Sequence, residues 1–154
     1  MNRRRFLVVG FTLTPLAAAL AACGRAGNWA AGMRPIIWDR DVCAHCTMVI
    51  SDRRFAAEVC GSTAVFKFDD VGCAVSWLHD KAKDYPWSAD PATRLWVADI
   101  ASKDTDLIWL DAHAAHYVNK TSPMGYDFGA SAQNQAGAVD FQTMREHVLA
   151  KKEQ

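Results

Sequence analysis

The sequence predicts an α+β protein: two tandem ββαβ-like units, with antiparallel or mixed sheets and helices packed on one face. Three observations carry this. Residues 55–100 spell strand, strand, helix, strand, and the second half repeats short strands before a C-terminal helix. Length sets the scale, because what remains after the N-terminal leader is about one domain by the usual 100–200 residues. The apolar fraction, 51 % overall with abundant Trp, Phe and Tyr, is enough for a real core.

Residues 1–22 stand apart from the fold. Arg3-Arg4-Arg5 precedes an apolar run from Phe6 to Leu20, and Leu20-Ala21-Ala22-Cys23 closes it. A charged start, a short apolar middle and small residues at the end describe an export signal. The run is short for a membrane span, which takes about 20 apolar residues. The final tetrapeptide resembles the bacterial lipobox, which implies lipidation of Cys23 and a bilayer anchor facing the periplasm. Gly24, where Asp would resemble an inner-membrane retention signal, favours the outer membrane slightly. Arg3-Arg4-Arg5-Phe6-Leu7 also resembles a twin-arginine signal, so the export route stays open. Loss of three Arg with the leader takes the balance of basic against acidic residues from 17 against 17 to 14 against 17. A mildly acidic chain is a poor partner for nucleic acid, whose phosphates require clustered Lys and Arg.

Residues 23–40 read as the lipidated N-terminus and a linker, 41–102 as the first unit and 103–154 as the second. In the first unit Phe55–Cys60 and Thr63–Phe68 flank Gly61-Ser62, a hairpin signal. Val65 and Lys67 alternate with Phe66 and Phe68, which suits a sheet with one covered face. Asp69-Asp70 supplies a helix cap. Val71, Ala74, Val75, Leu78 and Ala82 form an apolar stripe at helical spacing, ended by Pro86. Arg94–Ile100 follows as a strand. In the second unit Leu107–Leu110, His116–Lys120 and Tyr126–Ala132 read as extended, Gln133–Ala136 as a helical turn, Ala138–Phe141 as a last strand, and Thr143–Lys152 as a helix with Met144, His147 and Val148 on one side.

The chemistry concentrates in Cys43-Ala-His45-Cys46-Thr-Met48. Two thiols, an imidazole and a thioether within six residues form a soft-metal donor set. Thiolate and thioether sulfur suit Cu(I), whereas Mg and Ca take oxygen. If Thr47–Ile50 is extended, Cys46 and Met48 share a face. Ser122-Pro123-Met124-Gly125 is a turn that projects its methionine, and side-by-side packing of the units would bring Met124 to Cys46 and Met48. Cys60 and Cys73 read as structural, either buried thiols or a disulfide in an oxidising compartment. His113 and His116 read as ordinary polar or structural histidines. Two other classes compete. A thiol–disulfide oxidoreductase would use Cys43 and Cys46, but such motifs sit at a helix N-terminus, and Thr47–Ile50 has strand character. A structural zinc module would need a second closely spaced cysteine pair, which Cys60 and Cys73 do not form. No Ser–His–Asp set, paired catalytic carboxylates or phosphate-binding glycine loop stands out, so the chain does not read as an enzyme.

Taken together, the lipobox at Cys23, Cys43-x-x-Cys46-x-Met48 with Ile50-Ser-Asp52 and Phe55-Ala-Ala57, Phe68-Asp-Asp-Val-Gly72 with Trp77, and Ser122-Pro-Met124-Gly125 are similar to the NosL family, lipoproteins of nitrous-oxide reductase maturation in denitrifying bacteria. The resemblance covers essentially the whole mature chain. It implies a Cu(I) chaperone that supplies the copper–sulfide centre of the reductase. It also implies docking to an ABC-type transporter complex, and tandem ββαβ units akin to the organomercurial lyase fold. The ligand set expected on this basis is Cys46 as thiolate with Met48 and Met124 as thioethers, and Cys43 and His45 secondary. Many members of the family place Gly where this chain has Thr47, and they vary at the position of Cys43.

Overall fold

The computed structural model describes residues 28–152. Two helices and two antiparallel sheets make the α+β architecture the sequence predicts. Strands β1 (Ala57–Cys60) and β2 (Val65–Phe68) form the expected hairpin, helix α1 spans Val71–Lys81, and β3 (Arg94–Ala98) returns beside β1. Strand β4 (Trp109–Asp111) follows, then β5 (His116–Asn119), β6 (Phe128–Ser131) and helix α2 (Phe141–Lys152).

The first sheet has the order β2-β1-β3-β4, all antiparallel. Side chains alternate between its two faces, and the register sorts them. Ala57 and Val59 lie beside Phe68 and Phe66 on one side and Val97 and Leu95 on the other. This is the face that α1 covers, with Trp77 of the helix 4.4 Å from Phe66 and 5.8 Å from Phe68 between ring centres. Tyr85 and Trp87, beyond the helix, extend the same aromatic cluster.

The other face carries Glu58, Cys60, Lys67, Trp96 and Trp109, and it is covered too. The segment 29–38, expected to be a linker, packs across it as a strap. Trp29 stacks on Trp109 at 5.4 Å, Trp96 Nε1 donates to Ala31 O, Arg34 N donates to Glu58 Oε2, and Lys67 Nζ donates to Pro35 O. Two tryptophans, Trp29 and Trp38, give this stretch apolar area to bury, which a free tether lacks.

The second unit departs in detail from the predicted string. Strand β4 completes the first sheet by pairing with β3, because Asp99 N donates to Ile108 O and Ser102 Oγ accepts from Ile108 N, folding 99–108 back on itself. The expected helical turn at 133–136 is an irregular bend. The expected strand at 138–141 shrinks to one bridge, Tyr117 with Val139, because Asp140 caps α2 by accepting from Thr143 N at 2.8 Å and starts the helix at Phe141. Met144 and Val148 are buried as expected, while His147 is exposed. The two-stranded sheet β5-β6 joins the first through a parallel bridge between Asp99 and Ala130. Helix α1 lies between the halves, so its first two turns, Val71–Trp77, are buried all round and not only along the predicted stripe.

Glu58 is the one acid buried in the middle of the sheet, fully covered by the strap. Burial pushes its carboxyl up from 4.5 to about 7 despite the Arg34 amide and the nearby Lys67 charge. Because the folded-state value lies above the unfolded one, stability is fully present below pH 4.5 and is lost as pH rises towards 7. At about 1.4 kcal/mol per unit the whole effect is on the order of 3 kcal/mol. Denaturant midpoints measured from pH 4.5 to 8 should fall across this window in the wild type, and the fall should be much reduced in Glu58→Gln.

Candidate metal centre

Residues 41–50 do not form the extended strand expected after Cys46. They make a tight hairpin held by one bridge, Val42 with Val49, and by Cys43 N donating to Met48 O at 2.8 Å and Ile50 N donating to Asp41 O at 2.9 Å. At its tip Thr47 N donates back to Cys43 O, and Thr47 takes a φ of 64°. That left-handed conformation is one glycine adopts without steric cost. Ala44 N donates to Lys67 O, which fastens the hairpin to β2.

Beneath the hairpin the start of α1 contributes two more donors. The sulfurs of Cys43, Cys46 and Cys73 and a carboxylate oxygen of Asp69 all lie within 4.8 Å of one another. Cys43, Asp69 and Cys73 are buried, and Cys46 is half-buried at the edge. The Cys46 thiol donates to Asp69 Oδ1 at 3.4 Å. All four cysteines of the described residues carry free thiols. The neighbouring Cys73 thiol draws the Cys43 thiol down from 9.0 to about 7. Burial pushes Cys46 up to about 12, and Cys73, beside Cys43, is driven far upward.

The turn carrying Met124 is clamped along the same helix. Asp70, the fully buried N-cap of α1, accepts from Gly72 N at 2.8 Å, from Ser122 Oγ at 2.5 Å and from Met124 N at 3.3 Å. Burial raises its carboxyl, and the donors from Ser122, Gly72 and Met124 oppose that rise. The ring of Tyr126 lies where a side chain on Gly72 would be: a Cβ there would fall 2.2 Å from it. Tyr126 also shares a hydrogen bond with Ser76. From α2, Lys151 reaches Gly125 O and pairs with Asp127. Phe68–Gly72 and Ser122–Tyr126, distant in sequence, are two halves of one contact.

Of the residues read from the sequence, Cys43 and Cys46 meet in the cluster. Met48 lies opposite Cys43 on the hairpin and is 57 % exposed, and Met124 sits on the clamped turn at 37 %. His45 is half-buried, and burial lowers its imidazole pKa. His113 packs edge-on against Phe141 at 4.3 Å, and His116 lies in β5. Cys60 is a buried thiol near Glu58 and not a partner of Cys73. Cys23 lies outside the described residues. Sequence reasoning missed Asp69 and Cys73. A signal existed for the latter, since Cys73 falls off the apolar stripe of positions 71, 74, 75, 78 and 82. The oxidoreductase arrangement is not what the fold builds: the chain after Cys46 turns back at Thr47, and the thiol in the first turn of a helix is Cys73.

The profile of the NosL family matches residues 36–151. The chain belongs to the NosL family. Among solved structures, the copper chaperone NosL from Shewanella denitrificans is similar in fold, with a TM-score of 0.52 at 19 % identity over 76 % of this chain and 88 % of that one. None of the curated proteins matches the sequence.

Two substitutions test this construction. Thr47→Gly should stabilise the fold by about 0.5–1 kcal/mol in denaturant unfolding, the relief of a left-handed non-glycine residue offset in part by the entropy of glycine. Asp70→Ala removes the cap and leaves Ser122 Oγ and Met124 N without their acceptor, so it should cost at least about 2 kcal/mol and speed proteolysis within 121–127.

Proposed function

We propose that this NosL protein carries Cu(I) outside the cytoplasm and supplies it for assembly of the copper–sulfide centre of nitrous-oxide reductase. The observation that carries the reading is the convergence of three thiols beneath a hairpin whose exposed methionine, with that of the clamped turn, offers thioether sulfur. Monovalent copper takes soft sulfur ligands and is content with two or three of them, so an acceptor can displace one at a time. In this reading Cys46 anchors the ion as thiolate, Met48 and Met124 add thioethers, and Cys43 and His45 serve as secondary ligands. Thioethers carry no proton, so capture and release at the surface couple to pH through the thiolate alone. The protein is a carrier, not an enzyme. Its partner is the reductase maturation machinery, an ABC-type transporter complex. Lipidated Cys23 anchors it in the envelope facing the periplasm, the outer membrane being favoured over the inner; among the described residues no helix is long and apolar enough to cross a membrane.

One observation favours a second reading. Three cysteines and an aspartate within reach of one ion also suit Zn(II). The exposed thioethers of Met48 and Met124 have no use in a zinc site.

Anaerobic titration against a chromophoric Cu(I) chelator should give one Cu(I) per chain. Cys46→Ser should weaken binding by about 100-fold or more, and the double variant Met48→Ala/Met124→Ala by about tenfold, each decade being about 1.4 kcal/mol. Wild-type affinity in Cys46→Ser rejects the carrier. Zinc retained through anaerobic purification and not exchanged by Cu(I) would establish the second reading instead.

A further inference from the structure

Cys46 sits half-buried at the edge of the cluster. Cys43, Cys73 and Asp69, within 4.8 Å of it, are buried, whereas Met48, two residues further along the hairpin, and Met124, on the turn seated on Asp70, are exposed. An ion held by Cys46 and two thioethers sits at the surface. An ion held by Cys46, Cys43 and Cys73 sits beneath it, and both positions draw on the same Cys46 sulfur. We infer that Cys43, Cys46 and Cys73 form an inner copper station under the surface one, that the two share Cys46, and that the ion rests within and moves outward when an acceptor arrives. The inference rests on the carrier reading above and adds Cys73 and Asp69 to it.

The chemistry of the move balances without an electron transfer. Copper stays monovalent, and the bond to Cys46 persists. Outward, the bonds from copper to the Cys43 and Cys73 sulfurs break, those sulfurs take up protons, and bonds to the Met48 and Met124 sulfurs form. Inward, the thioethers leave and the same protons depart. Asp69, whose Oδ1 already accepts from the Cys46 thiol, lies within 4.8 Å of all three sulfurs. The inner station holds the ion without locking it in: three thiolates, one carboxylate and one Cu(I) bury a net charge of about minus three, and the cost of that unpaired charge offsets part of the copper–sulfur bonding, so an arriving acceptor can draw the ion outward.

The geometry also explains why Cys73 is a cysteine. It occupies the first turn of α1, three residues after the Asp70 cap and off the stripe that packs on the sheet. Its side chain there is fully buried, with its sulfur within 4.8 Å of those of Cys43 and Cys46 in the hairpin.

The test is Cu(I) affinity and release rate, measured on the full chain with competing chelators, in Cys73→Ser and Cys73→Ala, with circular dichroism to establish folding. Either variant that folds should bind copper at least about tenfold more weakly and surrender it to the chelator about tenfold faster. Copper loading should slow amide exchange in both the 43–48 hairpin and the first turn of α1 in the wild type, but only in the hairpin of the Cys73 variants. A folded Cys73 variant with wild-type affinity, release rate and exchange pattern overturns the inner station and leaves the carrier reading intact. Wild-type affinity in Cys46→Ser would instead sink both.

Discussion

The carboxylate of Asp70 holds this structure together where it matters. It ends one element and fixes another: the same side chain starts α1 through Gly72 N and seats the Met124 turn through Ser122 Oγ and Met124 N. A buried carboxylate is unfavourable unless its oxygens are supplied with donors, so the three contacts are mutually dependent. Losing the turn would strand the acid, and losing the acid would strand the turn. Asp69 is its neighbour in the chain and a member of the cysteine cluster. Two adjacent acidic residues thus tie the helix start to the thiols on one hand and to the methionine turn on the other.

That arrangement explains what the sequence made legible. The first unit could be read because its signals are local: strand alternation at 65–68, a cap at Asp70, an apolar stripe along α1. The second unit was harder because its outcome depends on competition. Trp109-Leu110 is equally suited to either sheet, and the hydrogen bonds at Asp99 and Ser102 decide for the first. Residues 138–141 have strand character, but a capping Asp140 directs them into helix. The segment 29–38 looks like a tether because of its small residues Ala30-Ala31-Gly32 and the Arg34-Pro35 break, whereas Trp29, Ile36 and Trp38 betray that it packs.

The candidate centre was half legible for a similar reason. Cys43 and Cys46 announce themselves by spacing, whereas Cys73 and Asp69 join them only through the packing of α1 beneath the hairpin. A cysteine on a helix is ordinarily a small core residue; its offset from the stripe is visible in sequence, but its partners are not. Thr47 belongs to the same class. Its left-handed backbone is dictated by the hairpin closing between Cys43 and Met48, and threonine gives no local hint of it.

The strap and the centre are mechanically one path. Lys67 donates to Pro35 O at the end of the strap and to Asp41 Oδ2 at the base of the hairpin, while its own carbonyl accepts from Ala44 N within the cluster loop. Asp41 in turn accepts from Ile37 N, so its carboxyl is held below the ordinary range, chiefly by Lys67. One residue of β2 therefore spans the chain arriving from the N-terminal side, the hairpin base and the cysteine loop. Any force that lifts the strap acts first on Lys67 and Asp41, and through them on the backbone that sets the distance from Cys43 to the thiol of α1. A free tether would have insulated the centre from the chain on its N-terminal side; a packed strap joined at Lys67 does not.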